Sequence, residues 1–66
     1  MKINAPFIEI KLAEQGMTKT DLAQKSGLSR QGVSLILARG TCAPKNAGRL
    51  AKGLGLPVVD IIKPEA

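Results

Sequence analysis

The chain holds one cysteine, Cys42, and no histidine, so neither an intramolecular disulfide nor a Cys/His zinc site is available to staple it. A chain of 66 residues without staples must hold together by apolar packing alone. At this size folding buries only about 60% of the unfolded surface. The hydrophobic share is 44%, ample for a compact helical core and one domain, 1–66. No run of eighteen apolar residues is present, so no membrane span is expected. Lys2 is followed by no long apolar stretch, so no signal peptide is expected and a cytoplasmic location is the default reading.

Apolar residues recur at helical spacing in short segments separated by glycine. A first helix is predicted to start near Asn4, a good N-cap, with Pro6 in the first turn and Gly16 as the C-cap. Its apolar stripe is expected along Phe7 and Ile10, widened by Ile8 and Leu12. Thr18 begins a second helix, and Thr18-x-x-Asp21 has the form of a capping box; Ser26-Gly27 breaks the helix. Ser29 caps a third helix of about Arg30 to Ala38 that turns Val33, Ile36 and Leu37 inward. Leu35 is also expected in the core, with contact to a thymine methyl as the other reading. A fourth helix is predicted from about Lys45 to Leu54, with Ala47, Leu50, Ala51 and Leu54 facing in. Gly48 and Gly53 weaken it by roughly 1 kcal/mol each against alanine, so it needs tertiary support. A short fifth helix is predicted from Pro57 to near Lys63. Val58-Val59 is the only candidate strand, so the fold class is all-α.

The net charge is +5, and its distribution matters more than its size. No acid falls between Asp21 and Asp60, while Lys25, Arg30, Arg39, Lys45, Arg49 and Lys52 lie in that span. A basic centre between acidic ends suits a polyanion, although a plain solvated face explains the charge alone equally well. Enzyme chemistry has little to stand on. There is no histidine, no phosphate-cradling glycine motif and no central cluster of carboxylates, so no catalytic residue, metal site or cofactor is expected. Cys42 reads as an ordinary loop residue, since no histidine is there to activate it.

One constellation goes further. Two short helices crossing at about 90–120° need a small residue where their backbones approach, a turn glycine, and apolar residues clamping the second helix of the pair. Ala23, Gly27, Val33 and Ile36, flanked by Leu22 and Leu28, have that spacing, in a unit of about 18–38. The stretch T-K-T-D-L-A-Q-K-S-G-L-S-R-Q-G-V-S-L-I, residues 18–36, resembles the phage Cro- and repressor-like (XRE) family of helix-turn-helix proteins. R-L-A-K-G-L-G-L at 49–56 and V-V-D-I-I at 58–62 extend the resemblance over nearly the whole chain. It implies a compact five-helix, lambda-repressor-like domain whose third helix enters the major groove of double-stranded DNA. Most members are dimeric transcriptional repressors.

Some positions depart from the family pattern. Lys19 stands where many relatives carry glutamine, Ser26 at a usually apolar position, and the loop before Pro44 is about one residue longer. Many relatives pair an arginine in the first helix with a glutamate late in the third; Leu12 and Leu37 stand near those places. Replacing both ends of a buried ion pair by apolar residues can be neutral or stabilising, whereas losing one end is costly.

Given the motif, Arg30, Gln31 and Ser34 are the expected base readers, because an arginine fork matches guanine and a glutamine amide matches adenine. Thr18, Lys19, Ser29, Arg39, Thr41, Lys45 and Asn46 are the expected phosphate contacts. Gly32 either permits close backbone approach or is neutral. Val58, Val59 and Ile62 are the expected homodimer interface: Ile61 with Val58 or Leu56 seals the core, leaving Val59 outside. Two alternatives remain on the same fold. One is an antitoxin with a toxin protein as partner, though only Lys63 to Ala66 are left to wrap it; the other is a protein-interaction module. A DNA-binding regulator would reside with the nucleoid.

Overall fold

The computed structural model describes residues 1–63. Five helices follow one another: α1 Ala5–Gln15, α2 Lys19–Ser26, α3 Arg30–Arg39, α4 Pro44–Leu54 and α5 Val58–Ile61. The all-α expectation holds; the extended pairing among the described residues is limited to two isolated bridges. No helix among them is long and apolar enough to cross a membrane.

Local chemistry explains where the first three helices start. The Asn4 side chain accepts from Phe7 N–H at 3.2 Å, and Pro6 sits in the first turn of α1, where its missing N–H is harmless. At α2 both halves of the capping box form: Asp21 N–H donates to Thr18 Oγ1 at 3.1 Å, and Thr18 N–H donates to Asp21 Oδ2 at 3.0 Å. Ser29 Oγ accepts from Gly32 N–H at 2.9 Å to open α3. The C-caps of α1 to α4 are glycines in the left-handed conformation, and α3 and α4 each differ by one residue from the predicted ends. The fifth helix is shorter than predicted. It stops at Ile61 because Ile62 is extended and bridges to Ile3.

The core gathers Ile8 and Leu12 from α1, Leu22 and Ala23 from α2, Val33, Ile36 and Leu37 from α3, the inward residues of α4, and Ile61. Leu12 and Leu37 are both buried in it, so the apolar replacement of both ion-pair positions is accommodated. Two expectations are corrected. Ile10 is 57% exposed and Leu35 is 46% exposed. Each lies two residues from buried neighbours, roughly 200° around the helix, so geometry turns both outward. The stripe of α1 therefore runs through Ile8 and Leu12, with Phe7 packed at its edge.

The α2–α4 contact explains two odd residues together. A Cβ on Gly53 would lie 3.1 Å from the Ser26 backbone nitrogen and 3.2 Å from the Ser26 Cβ, so the two helices meet nearly backbone to backbone. Only a small residue fits opposite Gly53, which accounts for serine at a usually apolar place. Ser26 is buried but satisfied: its hydroxyl donates to the Ala23 carbonyl at 3.2 Å.

Before α1, Met1–Ile3 runs between two other segments. Ile3 N–H donates to the Gly40 carbonyl at 2.8 Å and Cys42 N–H donates to the Met1 carbonyl at 3.0 Å. On its other side, Lys63 N–H donates to the Lys2 carbonyl at 3.0 Å. Ile3 is buried in the core. The strap thus clamps the loop after α3 to the end of α5.

Candidate nucleic-acid interface

The inward set Val33, Ile36 and Leu37 fixes which side of α3 faces solvent. Arg30 and Gln31, in the first turn, are exposed, and Ser34 is half-buried one turn further on. The three line one shallow depression. Their donors and acceptors stand on a helix whose start is locked by Ser29, which makes a rigid mount for these side chains. Leu35 completes this outer face one turn beyond Gln31.

The expected phosphate contacts divide into two groups. Ser29, Arg39, Thr41 and Asn46 line a common notch with Gly32 and Leu35, between α3 and the start of α4. Lys45 is exposed in the same first turn of α4. That turn has no side-chain cap; Pro44 has no N–H and the Asn46 N–H donates to the Ala43 carbonyl at 3.0 Å, which leaves the backbone N–H and the amine of Lys45 at the positive end of the helix.

The second group sits at the start of α2 and is encumbered. The Thr18 N–H already donates to Asp21, whose carboxylate occupies the positive end of the helix. That N–H, then the Thr18 hydroxyl and Lys25, hold the Asp21 carboxyl below the usual aspartate range. Lys19 pairs loosely with Glu9 of α1, at 3.8 Å. Both partners are exposed, so the pair is weak, but it draws the amine toward α1.

Of two further features, the first was weighed the wrong way in the sequence and the second left no signal there. Leu35 belongs to the exposed face, as its helical angle from Val33 indicates. Lys2 and Lys63 join Arg39 and Thr41 around a second groove, brought there by the strap. A three-residue pairing between chain segments this far apart leaves no periodic signal. Cys42 is half-buried in the notch beyond α3, and burial pushes its thiol up, away from the reactive thiolate.

The sequence model of the helix-turn-helix family matches residues 8–61, from within α1 to the end of α5. No curated protein and no solved structure matches the chain.

Proposed function

The chain belongs to the XRE family of helix-turn-helix DNA-binding proteins, a family of binders rather than enzymes, and on that premise we propose that it is a sequence-specific repressor of transcription. The observation that carries this reading is the exposed first turn of α3, where Gln31 and Arg30, the latter in no salt bridge among the described residues, stand on a capped helix. α3 lies in the major groove, Arg30 reads a guanine, Gln31 reads an adenine, and Ser34 adds a contact to either. Ser29, Arg39, Thr41, Lys45 and Asn46 hold the phosphates on one flank. Thr18 and Lys19 hold the other flank more weakly, because Asp21 and Glu9 compete for them. Residues 1–66 act as one domain around the 18–38 unit. Repression by occupancy is supported by the likeness to phage repressors.

The protein works as a homodimer through α5. Ile61 is fully buried, while Leu56 and Ile62 pack half-buried against the core. Val59 is left 69% exposed and Val58 36%. An apolar pair this open on so small a surface supports an interface. Twofold symmetry would then set two α3 helices about 34 Å apart, one turn of DNA. Selection from a random duplex library tests the reading. It should enrich two inverted half-sites about one turn apart. Failure to enrich any sequence at low salt would exclude it.

A further inference from the structure

We infer that the strap before α1 and the residue after α5 build a phosphate-binding groove from Lys2, Lys63, Arg39 and Thr41, and that it holds the DNA backbone next to the stretch held at the notch. The inference rests on the reading of α3 as the recognition helix. It adds a contact made by Lys2 and Lys63, which lie outside the family-matched residues 8–61.

The pairing of the strap dictates where the two lysines stand. Ile3 and Ile62 form an antiparallel bridge. It is flanked by hydrogen bonds from Asn4 N–H to the Ile61 carbonyl at 2.8 Å and from Lys63 N–H to the Lys2 carbonyl at 3.0 Å. In that register Lys2 and Lys63 stand directly opposite each other, one step along from the bridge. Side chains alternate along an extended segment, so Ile3 turns into the core while the two lysines turn out together, both exposed. On its other edge the strap bridges Lys2 to Thr41, just past Arg39 at the end of α3.

Like charges directly across an antiparallel pair destabilise it. No ion pair among the described residues relieves that repulsion: neither lysine enters a salt bridge there, and neither does Arg39. The three cations and the Thr41 side chain surround an open groove of about 800 Å³, and no acid lines it among the described residues. Converging cations and a hydroxyl suit the charged oxygens of a phosphate, which would also relieve the opposed lysines. The source of that phosphate follows from position. Arg39 and Thr41 line the notch between α3 and α4 as well. Groove and notch therefore share a wall, and a DNA strand held at one continues into the other.

The test compares Lys2→Gln/Lys63→Gln with wild type on the enriched and a scrambled duplex over a salt series. The double variant should bind both more weakly. Its log–log salt slope should be shallower by about 0.9 for each protomer bound, the contribution of one phosphate. Each phosphate of the enriched duplex is then replaced in turn by an uncharged methylphosphonate. One position per half-site should weaken wild type and leave the double variant unmoved. Without DNA and at low salt, the variant's thermal midpoint should rise, because two opposed like charges are gone. A fall would mean that the lysines stabilise the fold unaided, and would count against an anion site. Inorganic phosphate at constant ionic strength should move neither midpoint; a rise in wild type alone, with equal DNA slopes, would assign the groove to a free phosphate ion and overturn the inference. Equal slopes, or the same methylphosphonate profile in both proteins, would overturn it too. Specific binding persists in each of those outcomes and the recognition-helix reading survives; absence of any specific binding by wild type would instead overturn that reading.

Discussion

At the scale of single residues, Asp21 does the most with the fewest atoms. It accepts the N–H of Thr18 and returns its own N–H to the Thr18 hydroxyl, so one side-chain pair closes the start of α2. Its carboxyl is held below the usual aspartate range, first by the Thr18 N–H, then by the Thr18 hydroxyl and Lys25. The folded state thus binds the proton less readily than the unfolded chain. The box contributes fully above the ordinary aspartate value, and its contribution fades as pH falls through the depressed folded value. Thermal midpoints measured down this acid range should decline less steeply for Asp21→Asn than for wild type; parallel curves would refute the assignment. Thr18→Ala, which removes the cap from the other side, should cost about 1 kcal/mol at neutral pH. These caps were legible in the sequence because they are made of neighbours: Asn4, Thr18, Asp21 and Ser29 need only a residue three positions away. Leu35 was misread although local information of the same kind placed it. A leucine is usually buried, but its place on the helix was already fixed by Val33, Ile36 and Leu37.

At the scale of elements, α4 carries two glycines with opposite meanings. A Cβ on Gly48 meets nothing within 4 Å, so alanine there should gain helix propensity, up to roughly 1 kcal/mol. A Cβ on Gly53 would press on Leu22 and on the Ser26 backbone of α2, at 3.1 Å each. Leu22 can shift its terminal methyl, but a backbone nitrogen inside a packed helix cannot. Gly53→Ala should therefore destabilise the fold despite the same propensity gain, while Gly48→Ala stabilises it. Urea unfolding of both variants checks the pair, and equal shifts would mean that α2 and α4 are not in the close contact described. Sequence reasoning recognised that α4 needs tertiary support, since both glycines weaken a helix. Which one marks the close approach depends on a residue far away in the chain. The same limit hid the strap of Met1–Ile3, whose partners near Gly40 and Lys63 are distant in sequence. It also hid the early end of α5, because Ile62 leaves the helix to pair with Ile3.

At the scale of the whole molecule, an apolar interior and a basic flank are joined by the polar outer face of α3, with α5 left partly uncovered. If Val59 lies at a twofold interface, Val59→Asp should shift sedimentation at micromolar protein from dimer to monomer and leave the helical signal intact. A wild type that remains monomeric even on a palindromic duplex would remove α5 from that role. Between α3 and its flank the proposed labour divides, base reading on the helix and phosphate contact on the flank. The deciding measurement is the affinity of wild type, Arg30→Ala, Gln31→Ala and Lys45→Ala for the enriched and a scrambled duplex across a series of salt concentrations. Wild-type affinity should fall steeply with salt, with a log–log slope of about −0.9 per phosphate neutralised. Arg30→Ala and Gln31→Ala should each lose about 1–3 kcal/mol on the enriched duplex and little on the scrambled one, whereas Lys45→Ala should weaken both alike. No binding at low salt, or an Arg30→Ala protein that behaves like Lys45→Ala on both duplexes, would contradict it.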